Sequence, residues 1–497
     1  MKSNHALDAL LMNRRSFLKA AGGAGSLALL PPTLAFGQDT APLLRVGSRT
    51  IEVNKKAARV FQIEGQGSRA GILAREGDRF KGTLVNDTSD PLQLHWHGQV
   101  RASNDQDRAR PGGGALAAGR SDSHDFELTP GTHWMHSHTL SEQQLLAAPM
   151  VTLEKDGGDV QDIVIMLHDF AFRSPQEILA ELGGSDAHGG HGGSPGSRMA
   201  GSGPHGHMNH GGMPHHAGGR GAGPGHMMGM THANDVRYDA FLANDRTLDD
   251  PDVVRVEKGG RARLRIINGA TATGFFISTP GLATRLIAVD GSPCAPLTAS
   301  NYPLAQGQRI DLLVEMPRDG GAFPVLAQVE DAMFLTGIVL ASQGAAITKL
   351  ASTSDRKSPL LDLALDSRLS ATQALATKRP DKSFMVMLGE EAGYRWTING
   401  AVHGEHQPFS VRVGDRVEMT FMNPTSMMHP MHLHGHHFQV VGVGGRRFAG
   451  PMRDTVIVPA HMPVTIAFDA ALKGSWFLHC HHLYHMATGM MTEVRIA

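Results

Sequence analysis

A repeated unit constrains the fold of this chain more than any other feature of its sequence. The segments Arg75–Arg79 (REGDR) and Arg412–Arg416 (RVGDR) are each followed, sixteen residues after the last arginine, by the first histidine of an H-x-H-G motif. These two motifs are His95–Gly98 and His432–Gly435. A third copy begins at Glu257–Arg261 (EKGGR), but there the same offset falls on Ile277. Internal repetition of this kind indicates one structural unit built three times.

The second half of the unit repeats as well. GTHWMHSH at Gly131–His138 matches GSWFLHCH at Gly474–His481 position by position. The middle copy, GAFPVLAQ at Gly321–Gln328, contains no histidine. The middle unit therefore keeps the pattern of strands and lacks the imidazoles of the outer two.

The pattern of the units predicts an all-β fold. Each contains short alternating runs rich in Val, Ile, Leu and Phe, separated by Gly, Asn, Asp and Pro turns, which is typical of antiparallel β-sandwiches. A length of 497 residues also favours several domains over one. We predict three sandwich domains, near residues 40–160, 235–345 and 380–497, with an interdomain connector at 346–380.

The N-terminus has the pattern of an export signal. Asn13–Lys19 (NRRSFLK) is a twin-arginine motif, followed by a short apolar run and a candidate cleavage site at Ala35–Gly37. We therefore predict that residues 1–37 are a signal peptide and that the mature protein is periplasmic or otherwise exported. No other stretch is apolar and long enough for a transmembrane helix.

The composition favours metal binding over nucleic-acid binding. The chain has 29 His and 25 Met but only 2 Cys, and its formal net charge is −1, which suggests no nucleic-acid partner. Many of the His and Met residues lie in a Gly-rich segment at 183–232, which is too polar to form a core and is predicted to be disordered. A passive linker needs neither residue type, so we expect this segment to bind copper.

The H-x-H motifs predict a cluster of histidines. Residues i and i+2 of a strand project from the same face, so each motif directs two imidazoles to one place. The four pairs are His95 and His97, His136 and His138, His432 and His434, and His479 and His481. If the first and third units face one another, these eight imidazoles can enclose three copper ions, held by two, three and three histidines.

The third unit also contains the residues of a mononuclear copper site. Cys480 lies between His479 and His481 and must point to the opposite face of the strand. A thiolate, two imidazoles and a weak axial thioether form a blue-copper electron-transfer site. The third unit supplies this set as His429, Cys480, His485 and Met490. The corresponding positions of the first unit are Leu92, Ser137, Glu142 and Ala147, so we expect one such site per chain.

This arrangement predicts the reaction. An electron that enters at the Cys480 copper has a short covalent path through the backbone into His479 and His481. Four such transfers reduce one dioxygen to two waters. The second cysteine, Cys294, is predicted to be a buried small hydrophobe, and no disulfide is expected.

The motifs HWHG, HSH, HPMHLHG and HCHHLYHMATGM resemble the four signature motifs of the three-domain multicopper oxidases. The resemblance covers the chain from about residue 40 to the end, except for the His/Met segment. The resemblance implies cupredoxin-like Greek-key domains and four copper ions. It implies that type 1 copper is held by His429, Cys480, His485 and Met490, and type 2 copper by His95 and His432. It further implies one type 3 copper on His97, His136 and His481, and the other on His138, His434 and His479.

Within this family the twin-arginine signal, the Met excess and the axial Met resemble bacterial copper-resistance oxidases, which implies cuprous ion as the donor. Met427 and Met428 before His429, and Met486 and Met491 beside type 1 ligands, suit such a donor. Copper-efflux oxidases of this family carry acidic residues shortly before the His-Pro motif and directly after the second type 1 histidine. In this chain Thr425 and Met486 occupy these two positions. A third family acid, downstream of the first H-x-H-G, corresponds to either Asp105 or Asp107.

Other donors and another class of protein remain open. A laccase-like oxidase of phenols or aromatic amines is the first alternative, and manganese or ferrous ion are further possible donors. A non-catalytic copper-binding envelope protein of the same fold is the second alternative, although the chain retains the full set of ligands. The oligomeric state cannot be predicted from these motifs.

Overall fold

The computed structural model of the protein describes residues 43–65, 70–155, 157–184 and 233–497. The predicted signal peptide at 1–37 lies outside these residues. So does the predicted His/Met segment at 183–232, apart from its first two residues. No helix in the described part of the chain is long and apolar enough to cross a membrane.

The first domain is a sandwich of two four-stranded sheets. Their orders are β2-β1-β4-β6 and β3-β8-β7-β5. The strands are β1 (Leu43–Val53), β2 (Lys56–Glu64), β3 (Ile72–Arg75), β4 (Arg79–Asn86), β5 (Leu94–His97), β6 (Ser121–Glu127), β7 (Gly131–Ser137) and β8 (Ala147–Leu153).

The second domain pairs a six-stranded with a five-stranded sheet. The orders are β10-β9-β12-β17-β14-β15 and β11-β19-β18-β13-β16. The strands are β9 (Gln161–Phe170), β10 (Ala240–Ala243), β11 (Val253–Arg255), β12 (Arg261–Asn268), β13 (Phe275–Ser278), β14 (Thr284–Val289), β15 (Ser292–Leu297), β16 (Tyr302–Leu304), β17 (Arg309–Glu315), β18 (Ala322–Val329) and β19 (Leu335–Ala341). The segment 161–170, which the sequence assigns to no domain, is thus an inner strand of this domain.

The third domain pairs a seven-stranded with a five-stranded sheet. The orders are β21-β20-β23-β29-β25-β26, with β27 also paired to β25, and β22-β31-β30-β24-β28. The strands are β20 (Lys382–Glu391), β21 (Arg395–Ile398), β22 (Phe409–Val411), β23 (Arg416–Met422), β24 (His429–Leu433), β25 (Phe438–Val443), β26 (Arg446–Arg447), β27 (Met452–Arg453), β28 (Thr455–Val458), β29 (Val464–Asp469), β30 (Gly474–Cys480) and β31 (Met491–Ile496).

The three domains share one topology, which confirms the prediction of three cupredoxin-like sandwiches in an all-β chain. In each domain the first strand pairs in parallel with the strand that follows the repeated Gly-containing turn: β1 with β4, β9 with β12, and β20 with β23. The sandwiches are therefore mixed rather than purely antiparallel. The reason is that the Greek-key crossover returns the chain beside a strand that runs in the same direction.

A buried asparagine ends the equivalent strand of each domain. Asn86, Asn268 and Asn423 each accept a hydrogen bond from the backbone N–H two residues ahead and donate to two backbone carbonyls with the side-chain amide. This Asx turn satisfies backbone groups where the chain leaves one sheet for the other. The Asn-containing turns seen in the sequence are thus a repeated structural element.

Helical structure is minor in the described ranges of the chain. Helix α1 (Pro175–Gly184) follows β9, and helix α2 (Leu483–Ala487) follows β30, with three 3-10 turns at Asn104–Gln106, Leu140–Gln144 and Asp366–Arg368. The connector predicted at 346–380 contains the last of these turns and no strand of the sheets. It packs against the neighbouring cores through Leu361, Leu363, Leu365 and Leu369, which are buried.

Candidate metal centre

The strand register explains how the H-x-H pairs come together. Within the first domain β5 and β7 pair so that His95 lies opposite His136. Within the third domain β24 and β30 place His432 opposite His479 in the same way. Because these are adjacent antiparallel strands, each domain presents four imidazoles on one face.

The two sets of imidazoles meet across the boundary between the first and third domains. The Nε2 atoms of His95 and His432 are 3.2 Å apart, and so are those of His138 and His479. Within the third domain the Nε2 atoms of His434 and His479 are 3.0 Å apart. In the first domain His97 Nδ1 lies 3.5 Å from His136 Nε2. The structure therefore brings together all eight histidines that the sequence singles out.

Most of these histidines use their second nitrogen to hold the ring in place. Ring N–H groups of six of them donate to carboxylate or carbonyl oxygens outside the cluster. The pairs are His95 with Asp107 (2.6 Å), His97 with Asp454 (3.1 Å), His136 with Ser137 O (3.0 Å), His432 with Asp454 O (2.8 Å), His434 with Ala109 O (3.1 Å) and His479 with Cys480 O (2.8 Å). Such partners fix the tautomer, so that the other nitrogen faces the cluster with a lone pair.

The electrostatics of the cluster suit a metal. Burial lowers the pKa of His95, His97, His138, His434, His479 and His481 well below the ordinary value, and it lowers that of His432 to about 4. Neutral imidazoles are the form that binds metal ions. His481 Nε2 is buried and has no hydrogen-bond partner. An orphaned buried nitrogen facing other imidazoles is what a bound copper ion would satisfy.

Glycines beside the histidines make room for this packing. Gly98 and Gly435 follow the two H-x-H pairs with φ of 84° and 68°, and a Cβ atom there would collide with His133 and Trp476 respectively. Gly307, in the middle domain, has φ of 80°, and its Cβ would lie 2.5 Å from the ring of His481. The middle domain therefore touches the cluster with its backbone.

The four residues of the predicted mononuclear site are also close together and buried. Cys480 Sγ lies 3.6 Å from His429 Nδ1 and 3.7 Å from His485 Nδ1, and these two nitrogens are 3.2 Å apart. Met490 is fully buried and its backbone carbonyl accepts a hydrogen bond from the Cys480 N–H (3.0 Å). A thiol and two imidazoles within this reach fit one soft metal ion.

Burial controls protonation at this site as well. It raises the pKa of the Cys480 thiol, lowers that of His429 well below the ordinary value, and lowers that of His485 to about 3. Without a cation the thiol therefore stays protonated, and a bound metal ion would displace its proton. His479 and His481 are the chain neighbours of Cys480, so the two sites are joined by one covalent segment.

The sequence did not reveal the residues that support the cluster from outside. Asp454 accepts from His97 with its carboxylate and from His432 with its backbone carbonyl. Arg309, in the middle domain, holds this carboxylate with two parallel hydrogen bonds of 2.6 and 2.7 Å, and also donates to Thr132 O in the first domain (3.0 Å). Burial would raise the pKa of Asp454, but Arg309 holds it well below the ordinary range.

Two further acids contact histidines of the cluster. Of the two acids that the sequence left open, Asp107 is buried and hydrogen-bonded to His95, whereas Asp105 is exposed and bonded to Ser103. Burial raises the pKa of Asp107 to about 8. Glu142 Oε2 lies 3.1 Å from His136 Nδ1 and is also buried.

A third buried acid lies on the outer side of the mononuclear site. Asp235 accepts hydrogen bonds from Tyr394 and from His485 Nε2 (3.4 Å), and His482 Nε2 lies 3.1 Å from its other oxygen. Burial alone would raise the pKa of Asp235, but His482 and His485 hold it well below the ordinary value. Trp396 and His482 both stack on the His485 ring, with centroids 3.9 and 3.8 Å away.

A cavity of about 930 Å³ opens beside the loop between His485 and Met490. Its lining includes Phe477, Met486, Met491 and His403. It also reaches the ring of His138, which belongs to the histidine cluster. The cavity is large enough for an organic molecule as well as for water.

Comparisons with known proteins agree with this geometry. Three family models described as "Multicopper oxidase" match residues 45–156, 215–346 and 376–497. The chain is 29% identical over 431 residues to "Multicopper oxidase MmcO" of Mycobacterium tuberculosis, covering 85% of this chain and 80% of that one. It is 23% identical to "Copper resistance protein A" of Escherichia coli, covering 98% and 99%.

Solved structures show the same fold. Fet3p, described as a multicopper oxidase that functions in iron import, superimposes with a TM-score of 0.71 at 16% identity, covering 91% of this chain and 90% of that one. A laccase from Botrytis aclada gives a TM-score of 0.70 at 20% identity, covering 91% and 87%. At these identities the likeness establishes the fold alone.

Proposed function

The chain belongs to the multicopper oxidase family, the copper-binding oxidoreductases that use dioxygen, and we propose from this premise that its electron donor is cuprous ion. The proposed reaction converts four cuprous ions, one dioxygen and four protons into four cupric ions and two waters. Its role would be copper tolerance outside the cytoplasm, in agreement with the twin-arginine motif.

We assign the four coppers as the sequence motifs imply. His429, Cys480, His485 and Met490 would hold type 1 copper, and His95 and His432 type 2. One type 3 copper would be held by His97, His136 and His481, and the other by His138, His434 and His479. The short distances between ring nitrogens within each group support this division. When bound, the type 1 copper supplies one-electron transfer and the cluster reduces dioxygen.

The protein's own residues determine how an electron enters. The observation that carries the donor assignment is the buried carboxylate of Asp235 on the outward nitrogen of His485. An anion held at this place attracts a cation and would repel an electron-rich anionic donor. His429 and His485 are both fully buried, so a bulky donor does not contact either ring directly.

Methionine thioethers near the type 1 site also favour cuprous ion as the donor. Met427, Met428 and Met491 pack against the core beside the site, and Met486 directly follows His485. Soft thioethers prefer cuprous to cupric ion. The similarity to a copper resistance protein over nearly the whole of both chains points in the same direction.

Phenols and aromatic amines are the second candidate donors. The observation that favours them is the cavity beside the His485–Met490 loop, which Phe477, Met486 and Met491 line with apolar surface. A proton acceptor such as His403 also lines it. The similarity to "Laccase-1" of Melanocarpus albomyces, 23% over 511 residues, agrees with this alternative.

A panel of donors on the copper-loaded protein tests the assignment. We expect kcat/KM for cuprous ion to exceed that for a phenol, and we expect excess cupric ion not to reverse this order. Asp235→Asn should raise KM for cuprous ion more than KM for the phenol, because only the cation gains from the carboxylate. A strong preference for the phenol with and without cupric ion would replace cuprous ion by the second candidate.

The His/Met segment at 183–232 is proposed to capture copper for the type 1 site. Its nine histidines and six methionines provide both hard and soft ligands. Deleting the segment should weaken copper tolerance and raise KM for cuprous ion. Unchanged tolerance together with unchanged kinetics would reject this role.

A further inference from the structure

Three methionines face outward on the third domain where a sheet normally carries polar residues. In β20 the residues Val386 and Leu388 are buried in the core, and Met385 and Met387 alternate with them on the outer face. The exposed fractions of Met385 and Met387 are 61% and 39%. In β23 the same alternation turns Met422 outward, after buried Phe421.

The strand register brings these side chains together. β20 and β23 pair in parallel with Met387 opposite Met422, so their side chains lie next to each other on one face. Met385 is two residues before Met387 and shares that face. We call Met385, Met387 and Met422 the thioether patch. Unbranched methionine side chains at neighbouring strand positions are flexible enough for their sulfurs to converge on a single ion.

The surroundings of the patch offer few hard ligands. Met385 lies opposite Thr420 in the register, and Glu418, the next outward residue, is bonded to Arg447 (2.6 Å). Asn399 holds the edge of the patch by hydrogen bonds to the backbone of Met387 (2.7 Å) and Met385 (3.4 Å). Thioether ligands select cuprous ion over cupric ion and zinc.

The patch belongs to the same structural elements as the type 1 site. Met422 directly precedes Asn423, whose side-chain amide fixes the loop that leads to His429. On the next strand, β21, Trp396 is paired with Glu390 of β20 and stacks on His485. The patch therefore lies on the outside of the sheet that contacts both type 1 histidines.

From this placement we propose that the thioether patch is a cuprous-ion binding site that collects the donor at the surface of the third domain. The proposal deepens the proposed function and rests on it for its biological role. Binding itself requires no redox step, because the thioethers bind the ion in the oxidation state in which it arrives.

Silver ion, a redox-inert soft cation, tests the binding directly. The copper-loaded full chain carrying methyl-labelled methionine is titrated with silver ion, and the ε-methyl NMR signals are assigned with the single variants Met385→Leu, Met387→Leu and Met422→Leu. We expect the three signals to shift together at one equivalent for this site. Zinc ion should leave them unchanged. Signals that do not respond to silver ion would overturn the proposal.

Steady-state kinetics test the role in turnover. Leucine preserves volume and removes sulfur, so the triple Leu variant should fold and should raise KM for cuprous ion about tenfold, with kcat and the kinetics of a phenol unchanged. Met333→Leu is the matched control, because Met333 is 45% exposed but lies in the middle domain. An unchanged KM in the triple variant would overturn the role in collecting the donor.

The two proposals fail in distinguishable ways. A wild-type protein that does not oxidise cuprous ion would overturn the proposed function. The silver titration needs no turnover, so it would still decide whether the patch binds a soft cation. If the wild type oxidises cuprous ion and the patch does not bind silver ion, the further inference alone is wrong.

Discussion

The first and third domains carry nearly the same strands and differ in their chemistry. In both, the paired strands of the cluster present two H-x-H motifs on one face, with His95 opposite His136 and His432 opposite His479. The opposite face of the second strand holds Ser137 in one domain and Cys480 in the other. One backbone therefore supports a site on one face in both domains and a further site on the other face in only one.

The first domain shows what fills the place of the mononuclear site. Ser137 Oγ bonds to the hydroxyls of Thr139 (2.9 Å) and Ser141 (2.8 Å), and Leu92 is buried in the core. Glu142, at the position of His485, instead contacts His136 of the cluster. A few residues on one strand face therefore decide whether a domain carries the ligands of the proposed mononuclear site.

The largest expected effect comes from making the third domain like the first. Cys480→Ser should abolish blue absorbance and reduce donor oxidation to background, because a hydroxyl does not replace a thiolate as ligand. Bound copper should fall by one ion per chain, measured by elemental analysis. The reverse change, Ser137→Cys, should create no second blue site, since Leu92 and Ala147 cannot bind copper. A blue band in Cys480→Ser would contradict the assignment.

The second largest effect is expected from a residue of the middle domain, and it should change the cluster without changing the mononuclear site. Arg309→Met leaves Asp454 buried without its cation, which should cost about 3–5 kcal/mol of unfolding free energy. Loss of this support should weaken copper binding in the cluster about 10–100-fold, as elemental analysis and the type 2 EPR signal would show, with the blue band retained.

Two variants complete this experiment. Arg309→Lys keeps the charge and loses the two parallel hydrogen bonds, so we expect partial recovery of copper binding. Arg263→Met breaks a partly buried ion pair, with Asp311 (2.5 Å), away from the cluster. It should reduce stability without changing copper content. Equal copper loss in both methionine variants would mean that Arg309 is structural only.

The third effect compares the carboxylates beside the two sites. Glu142→Gln keeps the shape next to His136 and removes the charge, so copper affinity of the cluster should fall about tenfold while the blue band stays. Asp235→Asn should shift the blue band and raise the type 1 potential, with the cluster unchanged, because His485 loses an anionic acceptor. Redox titration measures the type 1 potential, and EPR measures the signals of both copper sites. A cluster signal altered by Asp235→Asn would contradict the expectation that this carboxylate affects only the type 1 site.

The smallest effect is expected from substitutions in the Asx turn that the first and third domains share. Thr425 accepts a hydrogen bond from His429 Nε2 (2.9 Å), whereas Thr88 occupies the equivalent Asx turn without a histidine. Thr425→Val should cost about 1 kcal/mol and slightly shift the blue band. Thr88→Val should lower stability by a similar amount with no spectral change. Identical spectra for both variants would show that the hydrogen bond does not tune the copper site.

Much of the fold could be predicted because the repeated motifs are visible in the amino-acid sequence itself. The repeated turn and the H-x-H spacing predict three sandwiches, and the structure and the comparisons confirm that class. Period-two alternation predicts which histidines share a face, and the structure brings all eight together. Local rules were sufficient here because each pair lies within three residues of chain.

The supporting residues escaped this reasoning because only the folded chain brings them to the site. Arg309 and Asp454 lie 145 residues apart, and Asp235 lies 250 residues before His485. One signal was available in β17, where Arg309 and Asp311 interrupt a run of Ile and Leu and are both fully buried. Buried charges at alternate positions of a strand indicate an ion pair across a domain boundary.

The cluster between the first and third domains has a consequence for biosynthesis. Half of its histidines belong to the first domain, and the other half lie between His432 and His481 in the third domain. A ribosome must therefore translate through position 481 before any nascent polypeptide contains the complete cluster. Full copper loading of the cluster therefore follows translation of His481, and a premature stop codon upstream of that position yields a protein that can never be loaded in full.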